Sequence, residues 1–251
     1  MEAHLYEEMA RTEDHHWWFR GRRNVIEAVL RENLPAAPER RILDIGCGTG
    51  GNLPLLQQFG RVEGMEGASE ALALCRKRLG PDFPLHQGRI PEDLPAGPFD
   101  VVTAFDVLEH IPDAVGALQG IRRVLRPDGL FVLTVPAFGF LWSEHDEVHH
   151  HQRRYTVDML SGELKAAGLH LRWSSYFNSL LFPPIAAVRL LQKMAPKRRN
   201  TLRSDVDAGQ GSPFANKVLE TLFSAERHVV PHVSLPFGVS LVAVASLEPR
   251  S

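Results

Sequence analysis

The sequence predicts an α/β fold, in which a mostly parallel sheet carries helices on both of its faces. Strand-like apolar runs alternate with helix-like segments, the pattern of strands joined by right-handed crossovers. Residues 130–135 form a continuous apolar run, typical of a strand buried on both faces. Acidic residues stand at the carboxyl ends of three predicted strands, at Asp44, Glu66 and Asp106. Ligands bind at that edge of such sheets, so these acids predict where the site lies.

The elements follow from hydrophobic periodicity and from the turn residues between them. Strands are expected at residues 41–45, 62–66, 83–87, 99–105, 130–135, 169–176 and 240–245. Helices are expected at residues 6–32, 51–59, 113–125 and 156–167, with a further helix after Ala68. Ser69 is expected to cap that further helix with its side chain, and Thr156 to open the last one. Residues 126–129 include proline and glycine and predict a turn.

The composition is that of an ordinary globular protein. Of the 251 residues, 44% are hydrophobic and 23% charged, as expected for a single α/β domain. The 28 basic and 30 acidic side chains nearly cancel, so the charge does not favour a nucleic-acid partner. Two cysteines, Cys47 and Cys75, predict no disulfide framework and favour a reduced, cytoplasmic setting. No apolar run approaches the roughly 18 residues that span a bilayer.

The chain divides into four predicted parts. Residues 1–40 form an N-terminal covering helix, 41–176 the ligand-binding core, 177–235 a helical insert, and 236–251 the last strand of the core. The insert carries an apolar run that Pro183 and Pro184 are expected to break, and a mobile linker to about Ser212. Between them lies a basic patch of Lys193, Lys197, Arg198, Arg199 and Arg203. We expect the insert to cap the acceptor site, and peripheral contact with a membrane surface is the alternative.

A glycine-rich turn follows the first strand. Its residues are Gly46, Cys47, Gly48, Gly50 and Gly51. Glycines let a ligand approach bare backbone, and this spacing also fits the dinucleotide fingerprint. Two kinds of ligand fit such a turn, a dinucleotide and S-adenosylmethionine (SAM), and Asp44 discriminates between them. A carboxylate repels the pyrophosphate of a dinucleotide but attracts the ammonium and sulfonium of SAM. We therefore expect SAM as the cofactor, with S-adenosylhomocysteine as the product, and interpret Cys47 as a small residue of the turn.

Glu66 closes the second strand, and its carboxylate could accept hydrogen bonds from both hydroxyls of a ribose. Gly67 follows it and would leave room for the sugar. The alternative is an exposed acid at the end of a strand. The glycine turn that precedes it favours the ribose role.

Taken together, these blocks resemble the class I SAM-dependent methyltransferases. The resemblance covers about residues 41–136 and includes the runs at 106–111 and 125–129. It implies a Rossmann-like sheet of seven strands whose final strand is antiparallel. It also implies a set of cofactor contacts: Asp44, Gly46, Cys47, Gly48, Gly50, Glu66, Gly67, Arg89, Ile90, Phe105, Asp106, Val107 and His110. Arg89 departs from the family, since many members carry an acid there and arginine cannot accept a bond from adenine.

An aromatic run precedes the core and looks like the covering helix that closes over SAM in such enzymes. Trp18 could shield the sulfonium from water and attract it through its ring face, and Arg20 could bind the carboxylate of SAM. The alternative is that Trp17 and Trp18 simply pack this helix on the sheet.

The acceptor site is expected in the loop after residues 130–135. This loop resembles the His-Asp and His-x-Arg-Arg-Tyr segments of bacterial methyltransferases from glycan, lipid and secondary-metabolite pathways. His145 or His151 is the candidate base, with Asp146 as its orienting partner. The candidate acceptor-binding residues are Trp142, Arg153, Arg154 and Tyr155, the arginines through a phosphate or carboxylate. A solvated polar loop is the alternative.

Three consecutive histidines at residues 149–151 raise the question of a metal. Adjacent loop positions rarely converge on one ion, and no carboxylates with ligand spacing accompany them, so we expect no metal. The sequence predicts a methyltransferase acting on oxygen of a small-molecule, sugar or lipid-like acceptor with an apolar portion. The alternatives are an NAD(P)-dependent oxidoreductase, which the glycines and Glu66 also fit, and a non-catalytic SAM-fold binding protein.

Overall fold

Seven strands in the described residues form one sheet. The computed structural model describes residues 3–35, 37–194 and 212–247. The strands are β1 Arg41–Ile45, β2 Arg61–Glu66, β3 Leu85–Gln87, β4 Phe99–Phe105, β5 Leu125–Pro136, β6 His170–Phe177 and β7 Ser240–Ser246. Their order in the sheet is β3-β2-β1-β4-β5-β7-β6. Strand β7 is antiparallel to both of its neighbours, and the remaining pairs are parallel. The predicted fold, including the antiparallel final strand, is confirmed.

Helices cover both faces of this sheet. They are α1 Ala3–Thr12, α2 Trp17–Asn33, α3 Leu53–Leu56, α4 Ser69–Leu79, α5 Ala114–Val124, α6 Glu144–Val148, α7 Val157–Ala166, α8 Phe182–Met194 and α9 Pro213–Ala225. One apolar cluster lies between the sheet and helices α5 and α7. A second lies on the opposite face, under α2, α3 and α9. No described helix has the length and apolar character needed to cross a bilayer.

The topology determines where a ligand can bind. The strand order runs outward from β1 in one direction through β2 and β3, and in the other through β4 and β5. Loops that leave β1 and β4 therefore diverge to opposite faces, and the crevice between them is the usual ligand site of such sheets. The glycine turn after β1 and Asp106 after β4 both border this crevice.

Several predicted boundaries are wrong at the ends of elements. The single N-terminal helix is two helices, since the chain breaks after Thr12 and His16 caps α2 by accepting a bond from the amide of Trp18. Helix α3 has only four residues, and Ser69 is the first helical residue of α4, with no side-chain cap before it. Thr156 does cap α7, through its hydroxyl and the amide of Met159.

Two further expectations concerned prolines, and both are corrected. Residues 126–129 are the exposed first part of β5 rather than a turn. Pro183 and Pro184 do not break the apolar helix of the insert, because they lie in the first turn of α8, where backbone amides need no intrahelical partner. The predicted linker and most of the basic patch lie outside the described residues. Lys193 lies within them, and its ammonium donates to the carbonyl of Phe140 (2.8 Å).

Candidate active site

Asp44 is a buried acid in the middle of the sheet. Asp44 lies in β1, and only 2% of the residue is exposed. Its Oδ1 accepts a hydrogen bond from the hydroxyl of Thr103 in β4 (2.6 Å). Burial raises the pKa of Asp44 to about 7, against the opposing effect of the Thr103 hydrogen bond. A carboxylate removed from water in this way is stabilised by a cation that reaches it.

The turn after β1 needs its glycines for two different reasons. Gly46, Gly48 and Gly50 have positive φ values of 67°, 55° and 88°, which side chains disfavour. A Cβ on Gly46 would lie 2.5 Å from Val107 Cγ2, and one on Gly50 would lie 2.7 Å from Cys75 Sγ. A Cβ on Gly48 would meet only the methyl of Met9, at 3.3 Å. The Gly48 side of the turn therefore presents bare backbone towards α1.

Glu66 joins the end of β2 to this turn. Its Oε2 accepts from the amide of Gly48 (3.1 Å), and its Oε1 accepts from the amide of Ala68 (3.0 Å). Each carboxylate oxygen has a second lone pair, so both can still accept a hydroxyl. A Cβ placed on Gly67 would make ordinary van der Waals contact with the carbonyl oxygen of Gly88, at 3.5 Å, and would clash with nothing. These residues fit the predicted ribose contact.

Cys47 is buried inside the turn, and its side chain lies beside Cys75. The hydrogen bond with Cys75 and then burial raise the pKa of the Cys47 thiol far above its usual range. A thiol held neutral in this way is a poor nucleophile. The environment agrees with the interpretation of Cys47 as a small packing residue.

Asp93 places an acid near Arg89, where the sequence showed none. Its Oδ2 accepts from the amide of Arg89 (2.9 Å), and its Cβ lies against Gly88. Asp93 was not predicted from the sequence, because it stands four residues after the expected position. Its carboxylate can accept from the amino group of a base bound beside Ile90.

Helix α1, rather than the aromatic run, lies over the glycine turn. Met9 lies over Gly48, and the buried Glu13 carboxylate accepts from the Thr49 hydroxyl and pairs with Arg78, both at 2.6 Å. Burial, followed by the nearby carboxylates of Glu66 and Glu70, raises the pKa of Tyr6 to about 12. Helix α1 therefore packs against the glycine turn, and a covering role for it over a bound ligand stays a prediction.

Arg22 is the arginine of the N-terminal segment that reaches the crevice. Its guanidinium lies 2.7 Å from Asp106 Oδ2 and donates to the Thr134 hydroxyl (3.1 Å). It also lies over the rings of Trp18 (5.2 Å) and Phe105 (5.8 Å). Arg20 was the arginine predicted from the sequence, and its half-exposed side chain pairs with Glu220 of α9 (3.2 Å). Nothing in the sequence distinguishes the two arginines, because both lie on one helix.

Asp106 is held in an uncommon backbone conformation, with φ at 56°. Its amide donates to the carbonyl of Thr134 (2.9 Å), and its Oδ1 accepts from the Thr134 hydroxyl (3.0 Å). A positive φ in a non-glycine residue is costly and tends to persist at functional sites. Together with Arg22, these bonds fix the loop after β4 against β5.

A second centre forms around Asp146 in the loop after β5. Asp146 is fully buried and accepts two bonds from Arg154, at 2.8 and 2.9 Å. His151 Nδ1 lies 2.8 Å from its Oδ1, and the amide of Ser143 donates to its Oδ2 (2.8 Å). Although burial alone would raise it, the hydrogen bonds from His151 and Arg154 hold the pKa of Asp146 well below its usual range. An ionised Asp146 requires the proton of His151 to be on Nδ1.

Four imidazoles gather beside this acid. The ring of His151 lies 4.7 Å from that of His110 and 5.9 Å from that of His145, and His145 lies 4.2 Å from His149. Burial, followed by the two neighbouring histidines, lowers the pKa of His110 to about 3 and holds that of His145 well below its usual range. Three of these histidines lie in one segment of the sequence, residues 145–151, and the fold places His110 of the loop after β4 beside them.

The predicted acceptor-binding residues make contacts within the protein. Arg154 is committed to Asp146 and also donates to the carbonyl of Ala137 (3.2 Å). Arg153 donates to the carbonyl of Pro112 (2.7 Å), and the buried Tyr155 donates to Glu163 (3.0 Å). The amide of Trp142 donates to the carbonyl of Gly139 (3.2 Å). These contacts hold the loop on the core, so the expected pairing of Arg154 with an acceptor anion is corrected: its guanidinium already has a buried carboxylate.

The fold and these two centres together define a class I SAM-dependent methyltransferase. A family model described as a methyltransferase domain matches residues 17–173, more than half of the chain. The chain belongs to this family.

Curated relatives share part of the sequence. Trans-aconitate 2-methyltransferase from Deinococcus radiodurans is 29% identical over 154 residues, which are 60% of this chain and 57% of the relative. Ubiquinone biosynthesis O-methyltransferase from Haemophilus ducreyi is 32% identical over 105 residues, which are 38% of this chain and 44% of the relative. The chain thus spans less than two thirds of the length of these relatives.

Solved structures share the fold. A chain of the complex between the Haloferax volcanii Trm112 methyltransferase activator and a methyltransferase is 20% identical, with a TM-score of 0.61 over 99% of this chain and 95% of that chain. Phosphoethanolamine N-methyltransferase 2 from Haemonchus contortus, solved with S-adenosylhomocysteine, is 19% identical. Its TM-score is 0.57 over 89% of this chain and 52% of that chain.

Proposed function

We propose that this protein transfers a methyl group from SAM to an oxygen atom of a small-molecule, sugar or lipid-like acceptor. The observation that carries the proposal is the arrangement of Asp44, the bare Gly48 backbone and Glu66 around one crevice at the switch point of the sheet. When bound, SAM supplies an electrophilic methyl group on a sulfonium. The protein binds, orients and shields the reactants.

Three residues divide the binding of SAM between them. Asp44 would attract the ammonium, since it is the buried acid beside the turn. Glu66 would accept from the ribose hydroxyls with the lone pairs that Gly48 and Ala68 leave unused. Asp93 is our candidate for the adenine amino group. A pyrophosphate on the glycine turn would instead bring negative charge to Asp44, which disfavours the oxidoreductase alternative.

His151 is the candidate base for an acceptor hydroxyl. Its Nδ1–H is directed at Asp146, so the lone pair lies on Nε2, where it can accept a proton. Asp146 orients the ring and is itself held by Arg154. The ubiquinone relative is an O-methyltransferase, which supports an oxygen acceptor for this chain.

The acceptor has an apolar portion in this proposal. Phe138 follows β5 and stacks on Tyr176 of β6, with ring centroids 4.7 Å apart, and Phe140 stacks on Phe138 at 5.4 Å. Phe182 of α8 contacts both phenylalanines, so the insert meets the loop after β5 through aromatic rings. Phe140 remains 45% exposed and can contact an apolar ligand.

Calorimetric titration with S-adenosylhomocysteine, with NAD in parallel, tests the cofactor assignment. Wild type is expected to bind S-adenosylhomocysteine with micromolar affinity. Glu66→Gln keeps the shape of the side chain but weakens its hydrogen bonds, and is expected to bind at least about tenfold more weakly. Glu63→Gln serves as the matched control on the same strand, because Glu63 pairs with Arg41 and His86 instead. Binding of NAD alone would overturn the proposal.

A further inference from the structure

Glu109 is a buried acid without a counterion of its own. The residue has no exposed surface, and neither carboxylate oxygen has a hydrogen-bond partner on another described residue. The arginines whose charges act on Glu109 are Arg22 and Arg154. Each already pairs with another carboxylate, Arg22 with that of Asp106 and Arg154 with that of Asp146. Burying a carboxylate without a partner is strongly unfavourable, so this position calls for a bound cation or a bound proton.

Two imidazoles face this acid from different parts of the chain. A carboxylate oxygen of Glu109 and one imidazole nitrogen from each of His110 and His151 all lie within 4.8 Å of one another. Since His151 Nδ1 is occupied by Asp146, its available ligand is Nε2. A tetrahedral site with bonds of about 2.0–2.1 Å separates its ligand atoms by about 3.4 Å, so binding of an ion would draw these three side chains closer together.

The surrounding structure already supports such a site. The Asp146 carboxylate orients His151 from behind, which is the usual arrangement of a histidine that ligates a metal. The amide of Gln152 donates to the carbonyl of Glu109 (2.8 Å), so the loop after β5 is tied to the loop after β4 at the cluster itself. The ring of His151 and the backbone of the loop that carries Glu109 are therefore held in place by contacts that do not depend on an ion.

We propose that Glu109, His110 and His151 bind a divalent transition-metal ion such as zinc. Two imidazoles and one carboxylate suit zinc and its neighbours, whereas magnesium prefers oxygen ligands. Three protein ligands leave a coordination position for water or for an oxygen of the acceptor. The binding of an acceptor oxygen by the metal rests on the proposed function, whereas metal binding itself does not. With a metal bound, Nε2 of His151 is a ligand rather than the base, and the metal lowers the pKa of the oxygen it holds.

Titration of zinc into the chelator-treated protein tests this site, with magnesium in parallel. Wild type is expected to bind one zinc ion tightly, and zinc is expected to raise its melting temperature. Glu109→Gln and His110→Asn are each expected to weaken zinc binding by more than about 100-fold, since even residues behind the ligands contribute 10–100-fold. His150→Asn is the matched control: His150 is exposed, has φ at 56°, and asparagine tolerates that conformation.

The controls separate folding, metal binding and cofactor binding. Circular dichroism without metal establishes whether the variants fold. If Glu109→Gln does not fold, zinc binding by His110→Asn tests the site. No zinc binding by wild type, or binding that survives both substitutions, would overturn the metal site. S-adenosylhomocysteine binding is measured on the same proteins. Loss of zinc binding with retained cofactor binding in the variants supports the site, and zinc binding by a wild type that binds no S-adenosylhomocysteine would overturn only the proposed function.

Discussion

Arg22 of α2 and Asp106 of the loop after β4 form an ion pair of 2.7 Å, in which only 6% of the arginine side chain is exposed. Thr134 of β5 bonds to both partners and completes the contact. This pair connects the N-terminal helices to the carboxyl edge of the sheet. It therefore couples the segment that covers the crevice to the loop that carries Glu109 and His110.

Arg22→Met is expected to lower the free energy of unfolding by on the order of 3 kcal/mol, because it leaves the Asp106 carboxylate without its cation. The matched variant Arg20→Met removes a pair whose arginine is 45% exposed, and is expected to cost less than about 1 kcal/mol. Urea unfolding of both variants measures the difference. Equal losses would show that the Arg22 pair contributes no more than a surface contact.

The affinity for S-adenosylhomocysteine is expected to rise with pH and to level off above neutrality. Its ammonium requires an ionised Asp44, whose pKa burial raises to about 7 in the free protein. Below that pH, binding must displace a proton, and the affinity is expected to fall about tenfold per pH unit. Calorimetry at pH 6, 7 and 8 measures this, and buffers of different ionisation enthalpy report the proton released. A flat profile would contradict an ionised Asp44 as the partner of the ammonium.

The raised pKa of Asp44 also makes the stability of the free protein depend on pH. This stability is expected to fall as the pH rises, whereas the affinity for S-adenosylhomocysteine is expected to increase. Between the ordinary carboxyl pKa of 3.8 and about 7, the folded state holds a proton on Asp44 that the unfolded chain releases. Stability from this group is therefore present at low pH and is lost as the pH rises through about 7. Asp44→Asn is expected to remove this contribution to the pH dependence. Urea unfolding of both proteins across that range compares the two slopes.

Gly48→Ala is expected to weaken S-adenosylhomocysteine binding beyond its effect on stability. Both Gly48 and Gly80 have a positive φ, at 55° and 98°, so alanine at either strains the backbone. Gly80, with ψ at 161°, lies in a region that is nearly confined to glycine, so Gly80→Ala is expected to lower the free energy of unfolding by about 1–3 kcal/mol, at least as much as Gly48→Ala. A Cβ on Gly80 has no atom within 4 Å, whereas one on Gly48 stands on the face of the turn towards α1. Calorimetry and urea unfolding of the pair separate the two effects. Equal affinities would show that the cofactor does not approach Gly48.

Much of the fold could be predicted because its signals are local. Alternation of apolar strands with amphipathic helices, and the continuous apolar run in β5, predicted the sheet without any long-range information. Element ends were less predictable: the break after Thr12 depends on the His16 cap, and Asn216 of α9 accepts from the amide of Trp17 (2.8 Å). Such contacts join residues that are far apart in sequence, and periodicity does not report them.

The sequence by itself determined the sheet, the glycine turn, and the acids Asp44 and Glu66 at the carboxyl edge. Each of these depends on backbone conformation and hydropathy within a single strand–turn–helix unit. Only the tertiary structure decided that Arg22 rather than Arg20 reaches the crevice, that α1 covers the turn, and that Glu109 and His110 meet His151. The physical reason is that these contacts join loops from separate strands. Their distance depends on the order of the strands and on the packing of side chains, which no local pattern encodes.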